Sequence, residues 1–329
     1  MSLPSKPRLL ITRRLPDAVH ERAAATFDLT LWTEDRPIGD AFDTWSDGMD
    51  AIVLMATDRM DAERLTRLRT HVKALATYSV GYDHIDLPAA TRLRLPVFFT
   101  PDVLSDAVAE IAMMLIIAAA RDTTRAESVL RNGEWGPWSP TAFLGRQLGG
   151  RRLGIYGMGR IGQAIAKRAR GFDLAIHYHN RTRLPANREQ GACYHASLDD
   201  LMCVSDVFCV AAPSTVATRK SVNCARIALL PRGAIFTNIA RGDLVDEDAL
   251  IDAISTGNVG AAGLDVYARE PHIDARFKSL PNTTLLPHIG SAALETRVEM
   301  GLLAVNALVD FIMRGEKPRN CLNPEVLNY

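Results

Sequence analysis

The chain has 329 residues, of which 38 are basic and 38 acidic, so its formal net charge is zero. This balance excludes the basic surface that nucleic-acid-binding proteins use, and it provides no attraction to an acidic membrane. Apolar residues make up 47% of the chain, and its length is enough for two domains with a core each.

The cysteines, at positions 193, 203, 209, 224 and 321, are odd in number and form no Cys-x-x-Cys pair. They predict reduced thiols in a cytoplasmic protein, with neither a disulfide framework nor a metal site. The first residues have no signal-peptide pattern. The most apolar stretch, 107–120, contains Glu110 and is too short to cross a bilayer. We therefore expect a cytoplasmic protein that binds neither membrane nor nucleic acid.

Strand and helix patterns alternate along the first hundred residues. The predicted strands are 8–12, 29–32, 51–55, 72–76 and 97–100, and the predicted helices are 16–25 and 61–70. One long helix is predicted from about Ser105 to Asn132. Such alternation is typical of a parallel sheet with helices on both faces.

A second alternating series begins at Arg152. Its predicted strands are 153–156, 175–179, 207–210, 234–238, 261–266 and 284–287, and its predicted helices are 161–170, 198–203, 224–229 and 246–256. A last helix, near 292–314, could return the chain to the first unit. We predict an α/β fold of two doubly wound, Rossmann-like parallel-sheet domains.

A glycine turn lies between the first strand and helix of the second series, in the sequence GIYGMGRIG of residues 154–162. Glycines at 157, 159 and 162 allow a tight turn, a close approach of backbone to phosphate, and close helix–strand packing. The helix that follows presents unpaired N–H groups to an anion. The turn therefore predicts a binding site for a dinucleotide pyrophosphate.

The next strand ends in Asn180, Arg181 and Thr182. NAD-binding proteins keep an acid here, which accepts hydrogen bonds from the ribose hydroxyls and repels a 2′-phosphate. Asn180 removes that repulsion, and Arg181 and Thr182 offer donors to a phosphate. We predict NADPH as the preferred cofactor, with NADH as the alternative.

Three ionisable residues follow later strands of this series: Arg241, Glu270 and His288. In open parallel sheets, ligands bind outside the carboxyl ends of the strands. Arg241 can hold a carboxylate with two hydrogen bonds, and His288 can protonate a carbonyl oxygen while Glu270 orients its ring. The three residues therefore predict hydride transfer to a 2-keto acid. Each residue considered alone is also compatible with an ordinary structural role.

The chain resembles the D-isomer-specific 2-hydroxyacid dehydrogenases, and among them the glyoxylate/hydroxypyruvate (2-ketogluconate) reductases. The motifs that carry the resemblance are SVGYDHID (79–86), TPDVL (100–104), Ala109–Glu110, the glycine turn, NIARG (238–242), GLDVYAREP (263–271) and PHIGS (287–291). They extend over nearly the whole chain.

The resemblance implies that Arg241, Glu270 and His288 are catalytic, and that Val80 and Gly81 bind the substrate together with Arg241 and His288. It implies a discontinuous flavodoxin-like substrate domain of residues 1–101 and 287–329, and a cofactor domain of residues 102–286. The expected cofactor-binding residues are Gly157, Met158, Gly159, Arg160, Ile161, Gly162, Asn180, Arg181, Thr182, Pro213, Thr218, Ile239, Ala240, Asp265 and Gly290. A homodimer is also implied, with Trp135 and Trp138 either at its interface or in ordinary packing.

Two alternatives remain at this point. A nucleotide-sensing corepressor of the same fold would keep the catalytic trio, although this chain lacks long polar tails and a basic patch. An NAD-dependent D-2-hydroxyacid dehydrogenase with another substrate is the second. Pro287 argues against formate dehydrogenases, which carry Gln there, and Asn180 against phosphoglycerate dehydrogenases, which usually carry an acid.

Overall fold

The computed structural model describes residues 6–328, which divide into two compact units. One unit contains the chain up to Leu104 and again from Ala292 onward, and the other is Ser105–Ser291. The sequence-based boundaries lie at 101/102 and 286/287, and the assignment of the units to substrate and cofactor stays a prediction. Each unit is built on one parallel sheet, which confirms the α/β fold class.

The first unit contains a five-stranded sheet. Its strands are β1 (Arg8–Ile11), β2 (Asp28–Leu31), β3 (Ala51–Leu54), β4 (Ala74–Thr77) and β5 (Val97–Phe98), and its early helices are α1 (Asp17–Thr26), α2 (Phe42–Ser46), α3 (Ala62–Leu68) and α4 (Leu87–Arg92). All pairings are parallel, and the order β2-β1-β3-β4-β5 is that of flavodoxin-like sheets. Every residue of β3 and β4 is buried, as expected for strands covered on both faces.

The second unit contains a seven-stranded parallel sheet. Its helices are α5 (Ser105–Arg121), α6 (Thr123–Arg131), α7 (Arg160–Arg170), α8 (Ala186–Glu189), α9 (Leu198–Val204), α10 (Cys224–Ile227), α11 (Glu247–Ser255) and α12 (Ala275–Ser279). Its strands are β6 (Arg152–Tyr156), β7 (Ala175–His179), β8 (Cys193–His195), β9 (Val207–Val210), β10 (Ala234–Asn238), β11 (Val259–Leu264) and β12 (Thr283–Leu285).

The strand order of this sheet is β12-β11-β10-β9-β6-β7-β8, the Rossmann order with one further strand. The direction of winding reverses between β6 and β9, and a ligand of such a sheet binds at the carboxyl ends of its strands near that reversal. The glycine turn directly follows β6, so the fold puts it at this point.

The chain returns to the first unit through α13 (Leu294–Arg314), which ends at Gly315 in the left-handed conformation that favours glycine there. Ala304 and Leu308 of α13 belong to the same buried cluster as Leu9 and Ile11 of β1. The short 3-10 helices are Gly39–Ala41, Gly242–Leu244 and Pro324–Asn328. Within residues 6–328, no helix combines the length and hydropathy required to cross a bilayer.

The single helix predicted over residues 105–132 is wrong. Asp122 has φ of +50°, a left-handed conformation that breaks the helix between α5 and α6. Strand β8 is absent from the sequence prediction, because three residues reading Cys-Tyr-His are too short to show a hydrophobic period.

Candidate active site

The three predicted catalytic residues follow three neighbouring strands of one sheet. Arg241 comes after β10, Glu270 after β11 and His288 after β12, and these strands are adjacent and parallel. Parallel neighbours end at the same edge of a sheet. The topology therefore brings together residues that are 18 to 47 positions apart in the sequence.

The turn that carries Arg241 is fixed by a buried asparagine at the end of β10. The Asn238 side chain, 2% exposed, donates to the Arg241 carbonyl at 2.9 Å and accepts from the Ala240 N–H at 3.0 Å. The Arg241 guanidinium donates to the Ala240 carbonyl at 2.8 Å. A Cβ at Gly242 would overlap the backbone of Tyr267, so this glycine lets the turn pack directly on the segment leading to Glu270.

Glu270 and His288 form the central contact of the site. His288 Nδ1 lies 2.7 Å from Glu270 Oε2, and the other carboxylate oxygen accepts from the Tyr267 N–H at 2.9 Å. The His288 side chain is 47% exposed, and its Nε2 has no hydrogen-bond partner among residues 6–328. One ring nitrogen is therefore held, and the other is available to a ligand.

Asp265 fixes the backbone on the far side of His288. Its carboxylate is buried, and its two oxygens accept from the N–H groups of Ile289 at 2.7 Å and Gly290 at 2.8 Å. His288 itself has φ of +54°, a conformation that non-glycine residues adopt rarely. The two bonds of Asp265 stabilise this turn and hence the direction of the imidazole.

Burial and neighbouring groups together shift the pKa values of Glu270 and Asp265 in opposite directions. Burial alone would raise the pKa of Glu270, but the hydrogen bond and charge of His288, the Tyr267 N–H and the charge of Arg241 together lower it. For Asp265, burial outweighs its two backbone hydrogen bonds and raises the pKa. Glu270 is thus the carboxylate that stays charged most readily beside the imidazole.

The glycine turn has the shape needed for a phosphate. Gly157 has φ of +102°, and a Cβ there would overlap the backbone of Ala212 on the neighbouring segment. A Cβ at Gly159 would meet nothing within 4 Å, so open space lies at the start of α7. The N–H groups of Gly159 and Ile161 have no acceptor in the described part of the chain. These donors at a helix N-terminus can hold an anion.

Comparison with known proteins identifies the family. Residues 113–290 match the family model of the D-isomer specific 2-hydroxyacid dehydrogenase NAD-binding domain. The chain belongs to the D-isomer-specific 2-hydroxyacid dehydrogenases. It is therefore an oxidoreductase whose second unit contains the nicotinamide-cofactor-binding fold of that family.

Relatives of this dehydrogenase align over nearly its whole length. Glycerate dehydrogenase of Hyphomicrobium methylovorum is 41% identical, covering 94% of this chain and 97% of its own. The crystal structure of a glyoxylate reductase from Paecilomyes thermophila is 34% identical, with a TM-score of 0.86 and coverage of 98% and 100%. An NADPH-dependent glyoxylate/hydroxypyruvate reductase from Sinorhizobium meliloti, solved with NADP and malonate, is 32% identical, with a TM-score of 0.84 and coverage of 97% and 98%.

The residues predicted to choose the cofactor in this dehydrogenase have different surroundings. Asn180 Oδ1 accepts from the Met158 N–H at 2.6 Å, so the asparagine is tied to the glycine turn. Arg181 and Thr182 are exposed, and neither side chain has a hydrogen bond or ion pair with the rest of residues 6–328. The strand tip therefore offers a free cation and a free hydroxyl.

Other predicted cofactor residues lie in the turns that follow β9 and β10 and at the start of α7. Thr218 Oγ1 donates to the Pro213 carbonyl at 2.7 Å, which closes the turn after β9. Ile239 and Ala240 form the turn that leads to Arg241, and Ile239 is buried. Arg160 is the first residue of α7 and is exposed. Contact of these residues with a cofactor stays a prediction.

Val80 and Gly81 belong to the first unit, in the segment after β4. The Gly81 carbonyl accepts from Ser79 Oγ at 2.7 Å, and Thr77 Oγ1 lies 2.7 Å from the same hydroxyl. The N–H groups of Val80 and Gly81 have no acceptor among the described residues. Both are thus able to bind an anion, and their contact with the substrate stays a prediction.

Sequence reasoning missed Asn238 as a positioning residue, and it expected no metal site. In the described residues, His177, Cys193 and His195 have donor atoms within 4.8 Å of one another. The Cys-x-His alternation of 193 and 195 was the available signal, since residues two apart in a strand share a face. Without strand β8 in the prediction, that signal had no structural meaning.

Proposed function

We propose that this chain is an NADPH-preferring reductase that transfers a hydride to C2 of a small 2-keto acid. The proposed substrates are hydroxypyruvate, which gives D-glycerate, and glyoxylate, which gives glycolate. The observation that carries the proposal is the 2.7 Å contact between His288 Nδ1 and Glu270 Oε2, beside the strand that leads to Arg241. The names of the relatives, glycerate dehydrogenase and glyoxylate reductase, support the same substrate class.

His288 is the proposed acid. With Nδ1 directed at Glu270, Nε2 is the nitrogen that gives its proton to the carbonyl oxygen of the substrate. The Glu270 carboxylate stabilises the imidazolium before this step and keeps the ring in one orientation. After the transfer the His288 ring is neutral, and it takes a new proton from solvent before the next turnover.

Arg241 is the proposed anchor for the substrate carboxylate. Its guanidinium presents a planar set of donors that matches the two oxygens of a carboxylate. Asn238 and Gly242 fix the backbone on which this side chain is carried. Val80 and Gly81 are proposed as further donors, because their N–H groups have no acceptor in the described chain.

The glycine turn fits a dinucleotide, because open space at Gly159 coincides with unpaired N–H groups at the start of α7. NADPH, when bound, supplies the hydride. Arg181 and Thr182 would hold its 2′-phosphate, since both are exposed and without partners in residues 6–328. Asn180 cannot repel that phosphate and is already occupied by the Met158 N–H. NADH is the alternative cofactor.

A cytoplasmic location and a homodimer are the remaining parts of the proposal. Trp135 is 62% exposed and Trp138 is 80% exposed, in a segment that follows α6. Large exposed aromatic side chains are typical of protein interfaces. Sedimentation equilibrium of the full chain tests the dimer, and a monomer at micromolar concentration would contradict it.

A steady-state panel tests the function. Glyoxylate, hydroxypyruvate, pyruvate and 2-ketogluconate are each assayed with NADPH and with NADH, and the product of hydroxypyruvate is resolved by chirality. We expect the highest kcat/KM for glyoxylate or hydroxypyruvate with NADPH, and only D-glycerate as the chiral product. Absence of turnover on all four acids with both cofactors would overturn the proposal.

The cofactor preference has its own test in Arg181→Ala. Loss of a hydrogen bond to a charged group should raise the KM for NADPH about 10- to 100-fold and leave that for NADH nearly unchanged. Arg188→Ala, an exposed arginine of α8, is the matched control. Equal effects of Arg181→Ala on the two cofactors would remove this arginine from the 2′-phosphate site.

A further inference from the structure

Three metal-ligating side chains share one face at an edge of the seven-stranded sheet. Strands β7 and β8 pair in parallel with His177 opposite Cys193 and His179 opposite His195. Registered neighbours in a parallel pair point to the same face, and so do residues two apart in one strand. Pairing and alternation together therefore bring the side chains of His177, Cys193 and His195 to one place.

The donor atoms of these residues are close enough to bind one ion. All lie within 4.8 Å of one another, and His177 Nδ1 is 2.9 Å from His195 Nε2. Tetrahedral zinc, with bonds of about 2.0 to 2.3 Å, holds its ligand atoms about 3.3 to 3.8 Å apart. The two rings would separate by less than about 1 Å to admit an ion between them.

The cluster is separate from the proposed catalytic residues. Strand β8 is one edge of the sheet and β12, which leads to His288, is the other. The rings of His177 and His195 are half-buried and the Cys193 thiol is exposed. Nothing in the reduction of a keto acid uses these three groups.

We propose that His177 Nδ1, His195 Nε2 and Cys193 Sγ bind a zinc ion, with water at the fourth position. Two imidazoles and one thiolate are ligands that zinc accepts, and a site with three protein ligands keeps its fourth position open to solvent. The exposed thiol gives the ion its route of entry.

The three side chains can reach the protonation states that metal binding requires. In the metal-free cluster one ring donates to the other, so binding requires that ring to move its proton to its second nitrogen, while the thiol releases a proton to solvent. Burial lowers the pKa of His177 and of His195, which favours the neutral rings that a metal needs.

Carboxylates near the cluster have other partners. Asp206 accepts two hydrogen bonds from the Arg152 guanidinium, at 3.0 Å each, and one from its N–H at 2.9 Å. Asp200 accepts from Ser197 Oγ at 2.7 Å. Because both carboxylates have partners already, we assign the fourth position of the ion to water. The ion would join edge strand β8 to β7 and stabilise the chain against unfolding.

The test uses the full-length, reduced, chelator-treated protein with zinc and, as a spectroscopic probe, cobalt. Wild type should bind one zinc per chain, with a higher melting temperature in zinc and a thiolate-to-cobalt charge-transfer band. Cys193→Ser and His195→Gln should each weaken zinc binding by about 100-fold. Cys193→Ser should also abolish the charge-transfer band.

Matched controls separate this site from adventitious binding. Cys203→Ser changes another exposed cysteine, and His179→Gln changes a histidine of the same strand and face whose Nδ1 bonds the His195 carbonyl. Both should bind zinc as wild type does. Equal zinc affinity in Cys193→Ser and Cys203→Ser, or no stoichiometric binding by wild type, would overturn the proposal. Circular dichroism verifies that each variant is folded.

Discussion

Near each edge of the seven-stranded sheet a histidine ring contacts another side chain, and the two contacts differ in the chemical nature of the partner. At one edge His288 Nδ1 contacts a carboxylate oxygen of Glu270 at 2.7 Å, and at the other His177 Nδ1 contacts a ring nitrogen of His195 at 2.9 Å. The two contact distances are similar. The chemistry is opposite, because a carboxylate favours a charged imidazole and a second imidazole disfavours it.

This difference separates proton transfer from metal binding. An acid catalyst must hold a proton at its reacting nitrogen, and Glu270 with its lowered pKa stays charged to support that state. A metal ligand must be neutral, and burial beside another ring lowers the pKa of His177 in that direction. The neighbour of each histidine, more than the histidine itself, thus decides its proposed role.

The largest effect is expected from removing the proposed acid. His288→Ala should lower kcat for keto-acid reduction by about 10²- to 10⁴-fold, the usual contribution of general acid catalysis. His177→Ala, measured in the same assay, should keep kcat near the wild-type value. The comparison fails if His288→Ala retains near-normal turnover, or if the two variants lose activity equally.

A smaller effect is expected from Glu270→Gln, which keeps a hydrogen-bonding group beside His288 Nδ1 but removes the negative charge. We expect kcat for the reduction to fall by about 10-fold, because a hydrogen bond to a charged group contributes about 1 to 2 kcal/mol more than one to a neutral group. In wild type, the lowered pKa of Glu270 keeps the pair intact until the pH falls through that value, so stability from the pair is lost only in acid.

His195→Gln is the matched variant for that measurement, since it also removes the partner of a paired ring. It should leave kcat for the reduction as in wild type. An unchanged kcat for Glu270→Gln would mean that the charge of the carboxylate does not support the proton transfer from His288.

The smallest effect is expected from Asp265→Ala, which removes the support behind His288. Two N–H groups, of Ile289 and Gly290, lose their acceptors, and the free energy of unfolding should fall by about 1 to 3 kcal/mol. Urea unfolding measures it, with the exposed Asp252→Ala as control. An unchanged midpoint would show that the turn at His288 does not depend on Asp265.

Much of the candidate site followed from the sequence because a parallel sheet aligns the ends of its strands. The apolar segments that form β10, β11 and β12 are visible in the sequence. Arg241, Glu270 and His288 follow these strands, and they converge because the three strands are neighbours in the sheet. The glycine turn was equally readable, because few residues tolerate φ of +102° as at Gly157.

What could not be predicted depends on long-range contacts or on short elements. Asp265 has a visible place in the GLD sequence, but its bonds to residues 289 and 290 arise only when β11 lies beside β12. The break at Asp122 has no proline or glycine to mark it. Strand β8 has only three residues, so the sequence gives no period from which to infer its pairing with β7.

The discontinuity of the first unit has a consequence for synthesis on the ribosome. Leu9 and Ile11 of β1 belong to the same buried cluster as Ala304 and Leu308 of α13, which are translated almost three hundred residues later. The inserted unit is complete before its host, so it can fold first while the nascent five-stranded sheet still lacks α13 on one apolar face. A stalled or truncated chain that lacks α13 would therefore be a natural client for chaperones.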